Sequence, residues 1–173
     1  MELRKAGFHI MKYGYVKVAT VTPKIEVANC EYNGEQVIKL IDKANKEKVK
    51  VLVFPELCLT GYTCGDLFLH DVLIKSAKYQ LMKIVNYTKG IDILIALGLP
   101  FARNSKLYNV VAIIQDGKLL GLVPKKHIPN HGDMNESRYF NPGNHKAVYI
   151  SVEGYQVPMG TNLLLGVKTE KNW

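Results

Sequence analysis

The sequence predicts a layered α/β fold with mixed strands, and three segments carry that prediction. The apolar runs at Val49–Phe54 and Ile91–Leu97 are typical of strands buried on both faces. The dipeptide Asp116-Gly117 joins two further apolar segments, which indicates a β-hairpin. Strands connected partly by helices and partly by a hairpin favour a mixed sheet with helices packed outside it.

The first half of the chain predicts a β-α-β unit. Tyr15–Val21 alternates weakly and ends before Pro23, so it is predicted as a strand. From Asn33 the apolar residues recur with helical spacing, which indicates an amphipathic helix lying on the sheet. The strand Val49–Phe54 follows and ends at Pro55, because proline cannot continue the ladder. The residues that define the helical face are Val37, Leu40, Ile41 and Ala44.

Two helices are predicted after this unit. Asp66–Ile74 forms a short helix with Asp66 as its N-cap, and Ser76 caps a second helix that runs to Thr88. The inward-facing residues of the second helix are Ala77, Leu81, Ile84 and Val85.

The second half of the chain is read as strands and one long loop. The strand Ile91–Leu97 is expected to close at Gly98 and Pro100. A polar stretch of more than twenty residues follows the hairpin, and a loop of that length is commonly functional. The remaining predicted ranges are the hairpin strands Leu107–Gln115 and Lys118–Val123, the loop Lys125–Lys146, and short strands at Ala147–Val152 and Leu163–Val167.

The composition and charge of the chain argue against several classes of protein. The 173 residues suit one domain, with 47% hydrophobic and 22% charged residues and a net charge of +8. The lysines are scattered, so the charge indicates a solvated surface and no nucleic-acid stripe. Three cysteines predict a reducing cytosol and no disulfide framework. No apolar run reaches the roughly 20 residues of a membrane span, and no signal peptide is indicated, so a cytoplasmic location is expected.

Two charged residues stand at predicted strand ends. Glu56 directly follows Pro55, where open α/β sheets place their sites, although a carboxylate in such a position more often caps a turn or pairs with a lysine. Lys125 follows the return strand of the hairpin and could share a site with Glu56. The alternative is an exposed pair with Lys126.

The sequence around Glu56 carries a family resemblance. FPELCLTGYTCGDLF resembles the glutamate motif of the nitrilase (carbon–nitrogen hydrolase) superfamily, and its extension TGYTCGDLF resembles the glutamine amidohydrolase domain of the glutamine-dependent NAD synthetase family. VPKKHIPN is similar to the superfamily's lysine motif. The resemblance implies a nitrilase-like four-layer α-β-β-α sandwich, with Glu56 and Lys125 as catalytic residues and Lys126 as the wrong-register alternative.

Two further positions take their expected roles from the same resemblance. Glu136, in NESRYFNPG, matches a supporting carboxylate beside the lysine, unless it simply pairs with Arg138. Tyr62, in TGYT, is similar to a residue that lines the glutamine pocket, although it is one of ten tyrosines. No metal ligand is expected.

The sequence lacks the cysteine motif that the family resemblance implies. Chemistry of this type needs a cysteine thiolate, which the family carries in a C-E-D motif after a further strand. The segment PMGTNLLLGVKTEKNW resembles the approach to that strand and contains no cysteine. Cys58 would share the face of Glu56 on an extended stretch, but neither it nor Cys30 or Cys64 is expected to be the nucleophile.

The resemblance covers Met11 to about Leu165. We therefore expect an N-terminal extension at residues 1–10 and a partial glutaminase domain at residues 11–173, truncated before the cysteine and inactive alone. The implied partners are glutamine, an ammonia-accepting synthetase domain that uses ATP and Mg²⁺, and further copies of the chain as a homo-oligomer. No cofactor is expected in this domain. The alternatives are a stand-alone amidase or carbamoylase, and a non-catalytic assembly or regulatory subunit.

Overall fold

A computed structural model describes residues 15–132 and 134–166 of the chain. The predicted extension at residues 1–10 and the second methionine, Met11, lie outside the described residues. The strands are β1 (Val18–Thr20), β2 (Val51–Val53), β3 (Leu94–Arg103), β4 (Lys106–Gln115), β5 (Lys118–Pro124), β6 (Asn130–His131), β7 (Met134–Asn135), β8 (Val148–Val152) and β9 (Tyr155–Met159). The helices are α1 (Cys30–Lys46) and α2 (Asp71–Tyr87), with 3₁₀ turns at Gly65–Leu69 and Glu136–Arg138.

Seven strands form one mixed sheet in the order β1-β2-β3-β4-β5-β9-β8, and β6 pairs with β7 separately. The first three strands are parallel, as the predicted β-α-β unit requires. The pairs β3–β4, β4–β5 and β8–β9 are antiparallel, and β9 joins β5 in parallel. The mixed α/β class predicted from the sequence is therefore confirmed.

The hydrophobic core lies between the two helices and one face of this sheet. Leu52 and Ile95, on neighbouring strands, are fully buried beneath Ile41 of α1 and Ile84 of α2. The predicted inward residues of α2 are all buried: Ala77, Leu81, Ile84 and Val85. The prediction that the Val49–Phe54 strand is buried on both faces is wrong in the described part of the chain. Val53 is 39% exposed, because both helices pack on the opposite, Leu52 face.

The helices between β2 and β3 differ from the prediction. A short 3₁₀ helix (Gly65–Leu69) and one α-helix, α2, stand where two helices were predicted. Because α2 begins at Asp71, Ser76 lies inside it and caps nothing. Asp66 lies in a 3₁₀ turn and accepts hydrogen bonds from Arg138, so it is not an N-cap. Burial of a continuous apolar face on the sheet overrides the weak capping signal of a single serine.

The predicted end of β3 at Gly98 is also wrong. The strand continues through Pro100 to Arg103. The carbonyls of Ala96 and Gly98 accept hydrogen bonds from the backbone N–H groups of Phe54 and Leu59. The backbone polar groups of alternate residues of β3 therefore point away from β4. Pro100 follows Gly98 by two residues, so its backbone nitrogen also points away from β4. Its missing N–H therefore costs no hydrogen bond to β4.

Three two-residue turns connect antiparallel neighbours within the seven-stranded sheet, and each has both residues at positive φ, as type I′ turns require. Asp116-Gly117 (φ 47° and 69°) was predicted. Asn104-Ser105 (φ 48° and 58°) and Glu153-Gly154 (φ 45° and 85°) were not, so strand β9 was missed. Leu163–Gly166 is not a strand, and Val167 lies outside the described residues. The predicted long loop contains β6, β7 and a 3₁₀ turn.

Candidate active site

Glu56 is presented by a tight turn that leaves the end of β2. Leu57, the next residue, is fully buried and adopts a left-handed conformation (φ 50°), which is uncommon for a branched side chain. Its carbonyl accepts hydrogen bonds from the backbone N–H groups of Thr60 (3.1 Å) and Gly61 (2.8 Å). The buried leucine and the turn bonds fix the backbone, so Glu56 is exposed while the next two residues, Leu57 and Cys58, are buried in the core.

The turn that presents Glu56 packs directly against Gly98 of β3. A Cβ atom at position 98 would lie 2.3 Å from the Pro55 carbonyl oxygen, 2.7 Å from Leu57 N and 2.8 Å from Glu56 Cα. Those neighbours are backbone atoms and cannot rotate away, so only glycine lets the glutamate turn lie directly on the sheet.

We expect Gly98→Ala to destabilise the fold by about 1–3 kcal/mol, since overpacking a rigid backbone contact has that cost. Urea denaturation measures the change. Gly121→Ala is the matched control, because Gly121 is also in a strand and its nearest neighbour is the flexible end of Leu163 at 3.0 Å. Equal stability losses in the two variants would contradict the role assigned to Gly98.

Lys125 reaches Glu56 from the end of β5. Its backbone N–H donates to the Asn109 carbonyl (2.8 Å), which continues the pairing of β4 and β5 beyond the last ladder residues. Its Nζ lies 2.8 Å from Glu56 Oε1 and 2.9 Å from each carboxylate oxygen of Glu136. Lys126 is exposed. The structure therefore places Lys125, and not the exposed Lys126, beside Glu56, while the catalytic roles of Glu56 and Lys125 stay predictions.

Glu136 is the buried member of the cluster. Its side chain is 6% exposed, whereas that of Glu56 is 42% exposed. The Tyr62 hydroxyl donates to Glu136 Oε1 at 2.7 Å, so the structure brings all four predicted site residues together. The alternative in which Arg138 pairs with Glu136 is wrong, because Arg138 forms a two-pronged ion pair with Asp66 (2.9 and 3.0 Å).

Asn109 is a member of the cluster that the sequence interpretation missed. Its side chain, on β4, donates through Nδ2 to Glu56 Oε1. Asn109 is 4% exposed, and a buried amide inside the apolar run of β4 was the signal that could have revealed it.

The charges around Lys125 act on two pKa values. Burial lowers the pKa of Lys125, but the hydrogen bonds and charges of Glu56 and Glu136 outweigh that effect and raise the pKa above its ordinary value. The pKa of the Tyr62 phenol is also raised, first by its hydrogen bond to Glu136 and then by burial. At neutral pH the site therefore holds an ammonium ion and a neutral phenol, each donating to a carboxylate.

A cavity of about 260 Å³ opens beside this cluster. Tyr62 and Glu136 contribute polar groups to its lining, and the packed rings of Phe68, Tyr139 and Phe140 contribute apolar surface. The Asp66–Arg138 ion pair and a hydrogen bond from the Tyr139 hydroxyl to Asp66 (3.0 Å) join the two turns that line it. A cavity with a mixed polar and apolar lining suits a small ligand that carries both an apolar stem and a polar group.

None of the three cysteines in the chain has the environment of a nucleophile. All three are buried. Burial raises the pKa of Cys58 to about 12, and it also raises the pKa values of Cys30 and Cys64. The expectation that Cys58 shares the face of Glu56 is wrong, because the left-handed residue between them makes the stretch a turn and buries Cys58 in the core.

The sequence and the fold of the chain match a known class of enzymes. The family model for carbon–nitrogen hydrolases matches residues 17–167, and the chain belongs to that family. It is 36% identical over 131 residues to the glutamine-dependent NAD(+) synthetase of Aquifex aeolicus, which covers 76% of this chain and 23% of that protein. It is 30% identical over 151 residues to the Mycobacterium leprae protein of the same name, with 87% and 22% covered.

Solved structures agree with the sequence relatives. The crystal structure of a glutamine-dependent NAD(+) synthetase from Cytophaga hutchinsonii superposes with a TM-score of 0.82 at 28% identity, covering 88% of this chain and 26% of that one. A carbon–nitrogen hydrolase from Helicobacter pylori shares the fold, with a TM-score of 0.60 at 19% identity over 75% of this chain and 45% of that one. The predicted nitrilase-like fold is thus confirmed, and the chain spans about a quarter of the length of the synthetases it matches.

Residues 15–132 and 134–166 contain neither a metal-binding cluster nor a membrane-spanning helix. No group of three or more histidine, cysteine or acidic side chains there is arranged to hold a metal ion. No helix in that part of the chain is both long and apolar enough to cross a membrane.

Proposed function

We propose that this chain is the N-terminal part of a glutamine-dependent NAD(+) synthetase. In that proposal its domain hydrolyses glutamine to glutamate and ammonia, and a second domain uses the ammonia for ATP-dependent amidation of deaminated NAD. The observation that carries the proposal is the contact of Lys125 with both Glu56 and Glu136 in a chain of the carbon–nitrogen hydrolase family. The relatives of that name, which match over most of this chain, support the choice of glutamine.

The carboxylates of the cluster suit two different tasks. Glu56 is partly exposed, so it can take a proton from a thiol as a general base and return it to the departing ammonia. Glu136 is buried and accepts from both Lys125 and Tyr62, so it holds the ammonium ion in place. Lys125 then stabilises the negative oxygen of the tetrahedral intermediate.

The nucleophile of this proposal is a cysteine outside residues 1–173. Its thiolate attacks the carboxamide carbon of glutamine, ammonia leaves, and water hydrolyses the resulting thioester to release glutamate. The raised pKa values and the burial of Cys30, Cys58 and Cys64 support a source outside these residues. The chain alone is therefore proposed to be inactive, and its homo-oligomeric state and cytoplasmic location remain predictions.

The domain itself is proposed to need no cofactor, and ATP and Mg²⁺ belong to the synthetase domain. The test is NAD formation by the full-length protein, with either glutamine or free ammonia as the nitrogen source. Glu56→Gln is expected to lower the glutamine-dependent rate by roughly 10²–10⁴-fold, the usual cost of losing a general base, and to leave the ammonia-dependent rate unchanged.

Other results of this test identify the alternatives. Loss of both rates would contradict a role for Glu56 confined to glutamine hydrolysis. Hydrolysis of simple amides without any NAD formation would identify a stand-alone amidase. Absence of amide hydrolysis in the wild-type protein would favour a non-catalytic subunit.

A further inference from the structure

Asn109 is a buried polar residue in a strand that is otherwise mostly apolar. It lies on β4, opposite Pro100, and it is 4% exposed. A buried amide without partners is costly, so its contacts are expected to be specific. Its side chain donates to Glu56, and its backbone carbonyl accepts from the N–H of Lys125.

The contacts of Asn109 join the two central charged residues of the cluster. Glu56 belongs to the turn after β2, and Lys125 belongs to the end of β5. These segments come from opposite sides of the β3–β4 pair, and Asn109 contacts both of them. Because a carboxylate can only accept hydrogen bonds, the amide must present its nitrogen to Glu56.

The two oxygens of Glu56 are not equivalent. Oε1 accepts from both Asn109 and Lys125. Within the part of the chain that the structure describes, no hydrogen bond reaches Oε2. By contrast, both oxygens of Glu136 are engaged by Lys125, and one also accepts from Tyr62.

We propose that Asn109 is the positioning residue that assigns the proton-transfer task to one oxygen of Glu56. With Oε1 held by two donors, the carboxylate cannot rotate, and Oε2 stays open toward the incoming thiol. The engaged oxygens of Glu136 exclude it from the same task. This inference rests on the proposed function, since it concerns the base of that reaction.

The first test observes the contact in this chain by ¹⁵N-resolved NMR of the side-chain amides, with the Asn109 signal assigned by its loss in Asn109→Leu. An amide proton bonded to a carboxylate is expected downfield of the other asparagine amides and protected from exchange. Glu56→Ala should return it to the position of a free amide. The control Asp71→Asn, which alters an exposed carboxylate on α2, should leave it unchanged. An Asn109 signal whose chemical shift and exchange protection do not change in Glu56→Ala would overturn the proposal.

The second test is glutamine hydrolysis by the full-length protein. Asn109→Leu, which keeps the volume and removes the donor, should lower kcat roughly 10–100-fold, less than loss of the base itself. KM should change less than about threefold, because substrate binding does not use Asn109. Asn109→Ser, which restores a hydroxyl donor, should recover part of kcat.

The outcomes separate this inference from the proposed function. If Glu56→Gln lowers hydrolysis as expected but Asn109→Leu keeps the wild-type kcat, the positioning role is wrong and the proposed function stands. A raised KM with unchanged kcat would also contradict it, because that pattern indicates substrate binding. If Glu56→Gln retains full activity, the proposed function itself fails and the positioning role falls with it.

Discussion

Lys125→Met is expected to slow glutamine hydrolysis by the full-length protein and to destabilise this chain. The substitution keeps the apolar stem and removes the ammonium ion, which leaves the buried Glu136 with Tyr62 as its remaining donor among the described residues. Loss of a group that stabilises the intermediate costs roughly 10²–10³-fold in rate. Stranding a buried carboxylate costs about 1–3 kcal/mol of unfolding free energy, which urea denaturation measures.

The control for this prediction is Lys126→Met, which changes the same charge one residue away at an exposed position. It should leave both rate and stability near their wild-type values. Equal effects of the two substitutions would contradict the assignment of Lys125.

The stability difference between the wild-type protein and Lys125→Met is expected to change with pH in one direction. The folded pKa of Lys125 lies above its unfolded value of about 10.5, so its ion pairs stabilise the fold fully below that pH. The contribution is lost as the pH rises through the folded pKa. The stability difference between wild type and Lys125→Met should therefore be constant at neutral pH and shrink above about pH 10.5.

Cys58 is expected to resist alkylation in the folded chain by at least two orders of magnitude relative to the unfolded chain. With a pKa of about 12 raised by burial, a fraction of only about 10⁻⁴ of this thiol is ionised at pH 8, and the thiolate is the reactive form. Iodoacetamide labelling followed by peptide mass analysis measures the rate. Labelling in denaturant provides the reference, and Cys58→Ala identifies the peptide.

Rapid labelling of Cys58 in the folded chain would contradict this prediction. It would mean that the thiol is accessible and ionised, and that a nucleophile exists within these residues. The prediction also distinguishes Cys58 from the cysteine that the proposed mechanism requires, which must be reactive toward glutamine.

Periodic patterns in the sequence were sufficient to predict most of the fold. The helical spacing of Val37 and Ile41 and the turn at Asp116-Gly117 reflect local physics, so helix α1 and the β4–β5 hairpin were predicted. Turns formed by Asn104-Ser105 and Glu153-Gly154 carry weaker residue signals, so their hairpins were missed. Pro100 was misread because its effect depends on which side of the strand its nitrogen faces.

The candidate site was predictable mainly through motif resemblance. Their positions after predicted strands drew attention to Glu56 and Lys125, but the resemblance selected these two residues, as it selected Glu136 and Tyr62. Asn109 was missed because its role depends on the pairing of β4 with β5, which brings it beside residues distant in sequence. Gly98 was taken as a strand end, since its close contact with the glutamate turn exists only in three dimensions.

The central claim is that this cluster hydrolyses glutamine only when a cysteine from outside residues 1–173 completes it. The most direct measurement is ammonia release from glutamine by purified Met1–Trp173, compared with the same chain extended through a strand that carries a C-E-D motif. We expect no release above background from the shorter chain, with or without Cys58→Ala. We expect a rate at least about 10⁴-fold higher from the extended chain, because loss of a nucleophile costs that much. Ammonia release by Met1–Trp173 that disappears in Cys58→Ala would contradict the claim and identify Cys58 as the nucleophile.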